Sequence, residues 1–226
     1  MIQKLSPNQL KLTRIYDAPI DAVWDAWTDL EQVAKWWGPR GFTITTHSKD
    51  LRNGGHWKYT MHGPDGTDYP NTTQYFEVIK NSLLVYDHGG NETDPPLFQV
   101  RAEFTPLKNK TQFDMTMTFS TEQAAIEIQK FIKKAGGEST WDRLAEYLEK
   151  ELHGEEKFVI NRSFNTSIET LFNVWTDPDH LSRWLSPTGT EMKFIKADIR
   201  TGGSSFYMMY NVDIKFYGQI HYKELN

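Results

Sequence analysis

Seven histidines and ten tyrosines are the side chains of this 226-residue protein best suited to moving a proton, so their spacing is weighed first. His47, His56, His62 and His88 fall in separate segments, with neither a His-x-His nor a His-Glu-x-x-His spacing, and no metal site is expected from them. Asp87 and His88 are adjacent, and in a strand neighbouring side chains point to opposite faces, so they cannot form a dyad. His153 and His180 read as exposed. There is no Gly-x-Ser-x-Gly elbow and no dinucleotide fingerprint, which leaves no visible catalytic constellation and no expected cofactor. Acid–base chemistry would fall to His88, Tyr59, Tyr86 or Glu77, provided that they point into a cavity. Gly54-Gly55 lies between two strands and lacks a following Lys-Ser/Thr, so it reads as a tight turn or bulge rather than a phosphate loop. Arg52 beside it is expected to pair with Asp50 or Glu77.

Binding is better supported than catalysis. Trp57, Tyr59 and Met61 alternate along one strand, and so do Phe113, Met115 and Met117 along another. Tyr75, Tyr86, His88 and Phe98, followed by Val100, extend the same pattern. Large, adaptable Met and aromatic side chains are what an apolar pocket is lined with. A solid core would use the same stripes, so pocket and core stay open as alternatives at this point. The candidate ligand-binding set is Trp57, Tyr59, Met61, Tyr75, Tyr86, His88, Phe98, Phe113, Met115 and Met117, with Trp141 and Leu144 from a helix.

The elements that must position these residues follow from periodicity. Residues 9–16 alternate as a strand, with Leu10, Leu12, Arg14 and Tyr16 on one side. Pro19 begins a helix, with Asp17 as its expected cap, and Val23, Ala26, Trp27 and Leu30 form its apolar face. A second short helix over 30–37 ends at Gly38-Pro39. The period then changes to two, predicting strands near 42–51, 55–62, 71–80, 83–88, 97–105 and 111–119 separated by turn residues, hence an antiparallel sheet. Ser120 or Thr121 caps a helix carrying Ala125, Ile128, Phe131 and Ile132. Gly136-Gly137 should divide this region into a lead-in at 121–134 and a main helix at 138–152, which bears Trp141, Leu144, Ala145, Leu148 and Leu152. A long amphipathic helix needs a broad apolar surface, which a curved sheet supplies.

Composition excludes several classes. A net charge of −5 gives no general basic surface, which argues against nucleic acid as a partner. The absence of Cys removes disulfides, thiolate metal sites and Cys nucleophiles. No signal-like segment opens the chain and no apolar run is long enough to span a membrane, so a soluble, cytoplasmic protein is expected.

One pattern organises the whole chain. Arg14, Ile20, Trp27, Thr28, Asp29, Trp36 and Pro39 recur, shifted by 148 without a gap, as Arg162, Ile168, Trp175, Thr176, Asp177, Trp184 and Pro187. The same shift carries Asp50-Leu51-Arg52-Asn53-Gly54-Gly55 onto Asp198-Ile199-Arg200-Thr201-Gly202-Gly203. This is a tandem duplication. Residues 1–152 read as a complete domain and 153–226 as the front half of a second copy. That half should contribute a strand at 157–164, helices at 168–176 and 178–185, and strands near 190–200, 204–211 and 214–225. Lacking the last three strands and the long helix, it should expose an apolar face and an open edge near Ile220–Leu225. It is expected to pack on the first domain or to form a homodimer through 153–226.

The order of elements, Ala18-Pro19 with Val23-Trp24 and Trp27-Thr28-Asp29, the Trp36-Trp37-Gly38-Pro39 run, Asp50 to Gly55, and Trp141 with Leu144, Tyr147 and Leu148 together resemble the START-like helix-grip (SRPBCC) superfamily. Within it the chain is similar to the C-terminal domain of the activator of Hsp90 ATPase. The resemblance covers residues 9–152 and again 156–226. It implies an α+β helix-grip fold, with a curved antiparallel sheet wrapped around a long C-terminal helix and an incomplete second repeat. It also implies a cavity between sheet and helix that takes lipid-like or aromatic small molecules, with a polyketide cyclase-like enzyme as the alternative. A chaperone-linked role is a third implication. It is the weakest, because the Asn-Asn-Trp-His-Trp type motif of the separate ATPase-stimulating domain has no counterpart in these residues.

Overall fold

The computed structural model describes residues 2–90, 94–160, 162, 164 and 166–225. They divide into two compact units, residues 1–162 and residues 163–226. The first contains β1 (Gln3–Ser6), β2 (Gln9–Tyr16), α1 (Ile20–Thr28), α2 (Leu30–Trp36), β3 (Thr43–Lys49), β4 (His56–His62), β5 (Asp68–Ile79), β6 (Leu83–His88), β7 (Phe98–Leu107), β8 (Lys110–Thr118), α3 (Glu122–Lys134) and α4 (Ser139–His153). Its eight strands form one sheet in the order β1-β2-β8-β7-β6-β5-β4-β3, with every pairing antiparallel. This is the helix-grip architecture expected. β1 was not foreseen: it is four residues long, largely exposed and without the apolar alternation that marks the other strands.

The inward face of the sheet is closed at one end by aromatic rings. Trp27 lies within ring contact of Trp36 (5.5 Å), Trp37 (5.2 Å), Phe104 (6.1 Å), Phe113 (5.2 Å) and Trp141 (5.9 Å). The cluster joins the α1–α2 hairpin to β7, β8 and α4. α4 lays Trp141, Leu144, Tyr147 and Leu148 against it, all buried, while Leu152 in the last turn is exposed.

Local chemistry sets the helix ends. Asp29 caps α2 by accepting from the N–H groups of Glu31 and Gln32, and Thr121 caps α3 through the N–H of Ala124. Asp17 does not cap α1. Pro19 occupies the N-cap without a side-chain bond, and Asp17 instead pairs with Lys110 at 3.2 Å. α3 and α4 are separate helices, because Gly136 adopts φ +68° and the N–H of Gly137 closes a Schellman turn on the carbonyl of Ile132 at 2.8 Å. Arg52 bonds Asp50 at 2.8 Å rather than Glu77.

The second unit contains α5 (Ile168–Thr176), α6 (Pro178–Trp184), β9 (Glu191–Lys196), β10 (Ser204–Tyr210) and β11 (Lys215–His221), its sheet ordered β11-β10-β9. The recurring residues do the same work in both units. Trp36 Nε1 donates to Ala26 O (2.9 Å) as Trp184 Nε1 does to Val174 O (3.1 Å). Thr28 Oγ1 donates to Trp24 O as Thr176 Oγ1 does to Phe172 O, both at 2.8 Å. The ungapped shift fails at the β10–β11 hairpin. Tyr75 exchanges backbone bonds with Gly54 and Gly55, and Tyr222 exchanges the same bonds with Gly202 and Gly203, so the shift there is 147. The turn of the second unit is one residue shorter than that of the first.

The expected strand at 157–164 is not one. Asn161 and Ser163 lie outside the described residues; Lys157–Ile160, Arg162 and Phe164 carry no strand. The matching strand of the first unit, β2, is held by β8, and no described segment plays the part of β8 for these residues. Those of the first unit lie instead along α4: the N–H of Val159 donates to Glu146 at 2.6 Å, Lys157 pairs with Glu149 at 3.0 Å, and Arg162 reaches buried Asp142 at 3.2 Å.

Trp141→Ala should destabilise the first unit by roughly 3–5 kcal/mol, the range for removing a buried tryptophan. Urea unfolding followed by fluorescence would check this, and a loss under about 1 kcal/mol would show that α4 is not part of the core.

Candidate functional site

Beyond the aromatic plug the inward face is hollow. A cavity of about 390 Å³ lies between the sheet, α3, the first turn of α4 and the turn that follows α2. Its floor is made by alternate residues of the central strands: Met61 on β4, Tyr86 and His88 on β6, Phe98 and Val100 on β7, and Met115 and Met117 on β8. Tyr69 and Asn71 of β5 extend one wall, Ile128, Phe131 and Ile132 of α3 form the roof, and Trp37 and Trp141 separate the cavity from the plug. Phe131 (54% exposed) and Leu97 (49% exposed) belong to both lining and surface, which places them at the mouth.

Of the twelve side chains proposed from sequence, Met61, Tyr86, His88, Phe98, Met115, Met117 and Trp141 line this cavity. Trp57, Tyr59, Tyr75, Phe113 and Leu144 do not. They are buried in the packed part of the core, where Trp57 stacks on Tyr59 (4.1 Å) and Phe113 packs under Trp27. Glu77 is excluded from any inward role: the β5–β6 register shifts between Tyr75 and Glu77, and its side chain is exposed. Trp37, Phe42, Tyr69, Asn71, Thr140 and the α3 residues were not proposed as lining. The Trp36-Trp37-Gly38-Pro39 run was the signal that could have found part of this wall.

Arg143 fixes that wall. Its Nη1 donates to the carbonyls of Gly38 (2.8 Å), Pro39 (3.0 Å) and Phe42 (3.2 Å), and its Nη2 to that of Lys35 (3.3 Å). A planar fork with several donors suits a turn whose carbonyls have no strand or helix partner. Gly38 adopts φ +98° in this turn, and a Cβ there would press on Phe42 at 3.2 Å. Arg40 ties the far side to Glu146 at 2.6 Å.

Two ionisable groups on the cavity floor, Tyr86 and His88, are held neutral. Burial pushes the Tyr86 phenol well above its usual range, with Tyr75 and Tyr59 adding to the effect. Burial lowers His88 to about 4, its ring lying 4.9 Å from Phe98. Asp87, on the opposite face of β6, offers His88 no charge. Among the described residues no three His, Asp or Glu side chains gather as a metal site requires, and no helix is long and apolar enough to cross a membrane.

A curved antiparallel sheet gripping a C-terminal helix, with an apolar cavity between them, defines a START-like helix-grip protein. The chain belongs to the family described as activator of Hsp90 ATPase homolog 1-like protein, which matches residues 17–149 and, separately, 165–226. Solved structures with this fold include a protein of Arthrobacter aurescens (22% identity, 72% of this chain and 98% of that one, TM-score 0.62). A Staphylococcus epidermidis protein is similar (25% identity, 72% and 99%, TM-score 0.59), as is protein NE0264 of Nitrosomonas europaea (23%, 65% and 97%, TM-score 0.58). No curated protein matches.

Because the folded pKa of His88 lies below the unfolded value of about 6.5, the unfolded chain takes up the proton first as pH falls. Stability from this group is complete above about pH 6.5 and is lost towards pH 4, with about 2 kcal/mol of it lost between pH 7 and 5. Comparing urea unfolding of the parent and His88→Gln at the two pH values should show the variant losing less by that amount. Equal losses would contradict a buried, neutral imidazole.

Proposed function

We propose that the first unit binds a hydrophobic small molecule, lipid-like or aromatic, in the cavity between sheet and helices. The observation that carries this reading is that the inward face is solid at the tryptophan end and hollow at the methionine end. A packed core has few voids larger than a water molecule, so a space of about 390 Å³ bounded by Met61, Met115 and Met117 is unlike ordinary packing and falls within the usual size of ligand sites. Apolar ligand surface removed from water there contributes about 25 cal/mol per Å². The neutral state of His88 and Tyr86 supports hydrogen bonding to a ligand better than proton transfer. A general base works best with a pKa near the operating pH, and an imidazole near 4 is a weak base.

We also infer that residues 1–152 are the complete binding domain and that 153–226, the front half of a second copy, associates with another copy of the chain. Trp175 is 52% exposed and Trp184 is 38% exposed, whereas their counterparts Trp27 and Trp36 are buried. In the first unit the rings over Trp27 come from β7, β8 and α4, and no described element of the second unit corresponds to them.

Titration with fatty acids, flavonoids and hydrophobic dyes, read by tryptophan fluorescence, should reveal saturable binding. Met61→Trp, which places an indole in the cavity, should weaken it at least tenfold while the protein stays folded; unchanged affinity would mean that the ligand sits elsewhere. Light scattering on the full chain should give a dimer that Trp175→Ser with Trp184→Ser reduces to a monomer. A monomeric parent protein would rule the association out.

A further inference from the structure

We propose that the cavity selects an uncharged ligand that carries a hydrogen-bonding group, and rejects carboxylates. This rests on the binding reading above and deepens it. Among the described residues no Lys or Arg lines the cavity. The nearest guanidinium on α4, that of Arg143, is directed at the backbone carbonyls behind the Trp37–Phe42 turn and not into the space. Among the described lining residues the one charged side chain is Asp68, an acid, exposed at the mouth and bonded to His62 at 2.6 Å. An anion entering this space would leave its water shell, pass a carboxylate and meet no positive charge. Burial of an unpaired carboxylate costs far more than apolar contacts can return.

Apart from Asp68, Tyr69 and Asn71 along β5, the polar side chains that line the cavity are clustered on its floor and at the start of α4. Tyr86 and His88 stand two residues apart on the same face of β6, and Thr140 approaches from the first turn of α4. Aromatic and apolar neighbours surround the pair: His88 lies 4.9 Å from Phe98 and 6.5 Å from Trp37, and Tyr86 lies 5.9 Å from Tyr75. In that setting the imidazole stays uncharged near neutral pH and offers one donor and one acceptor, while the phenol can serve as either. A hydroxyl or carbonyl on the ligand would be recognised there, with the hydrophobic body lying along Met61, Met115 and Met117. An unbranched hydrocarbon would leave the polar pair without a partner, so it should bind less well than the matching alcohol.

The test uses matched ligands on the full chain at pH 7.5: dodecanol against dodecanoate, and 2-naphthol against 2-naphthoate, followed by tryptophan fluorescence and confirmed by calorimetry. The neutral member of each pair should bind at least tenfold more tightly. Replacing both polar groups, Tyr86→Phe with His88→Phe, should lower the affinity for the alcohols at least fivefold. The same double variant should leave the affinity for 2-ethylnaphthalene, which has no polar group, unchanged or improved. Near-ultraviolet circular dichroism checks that the variant is folded. Carboxylates binding as tightly as the alcohols would overturn the charge selection. Alcohols that bind the double variant as well as the parent would overturn the recognition by Tyr86 and His88. If no member of any pair binds the folded protein, the cavity reading fails and the selectivity fails with it.

Discussion

The packing of Trp27 is the constraint on which the rest of the first unit depends. One ring touches residues from α1–α2, from two central strands and from α4, so the angle at which the helices meet the sheet is set around it. Its indole N–H has no hydrogen-bond partner, a cost of roughly 1–3 kcal/mol that ring packing must exceed. The same plug determines where the cavity can be. Six large rings fill one end of the concave face and leave the other to methionines and to α3, a helix with a single fully buried residue, Ala125. The hollow is what remains of a face too long for its filling.

Arg143 completes the arrangement from outside. The turn after α2 must present Trp37 and Phe42 to the cavity while leaving its own carbonyls without secondary-structure partners, and one guanidinium serves three of them at 2.8–3.2 Å. Desolvation and the nearby Arg40 lower the pKa of Arg143, yet an arginine stays charged through the physiological range. Wall and helix are therefore fixed to each other by a contact that involves neither of their apolar faces.

Much of this was legible in the sequence, for identifiable reasons. Alternation marked the seven longer strands of the first unit, the Gly136-Gly137 pair marked the break between α3 and α4, and Trp27-Thr28-Asp29 marked a helix hairpin that appears twice. Which inward residues face a void was not legible, because Trp57 and Met61 obey the same alternation and differ only in how far the plug reaches along β4. Arg143 was invisible because its partners are carbonyls about a hundred residues away, and backbone oxygens leave no trace in side-chain pattern. Glu77 was misplaced by a bulge that shifts β5 by one residue, and residues 157–164 read as a strand by analogy with β2, whose partner strand makes it one. Pairing is a property of two segments, and periodicity reports on one.

The distance along the chain between Trp27 and the ring stacked on it has a consequence for the order of synthesis. A ribosome adding about 5–20 residues per second makes Trp27 well before Trp141, and several seconds to some tens of seconds separate them. During that interval the helix hairpin can already form, since its cap at Asp29 and the Trp36 bond to Ala26 are local. Its aromatic face then waits for a lid that has not yet been translated. Nascent chains of this protein therefore pass through a stage in which a preformed, sticky surface is uncovered, and the rate of translation through residues 98–153 sets how long that stage lasts.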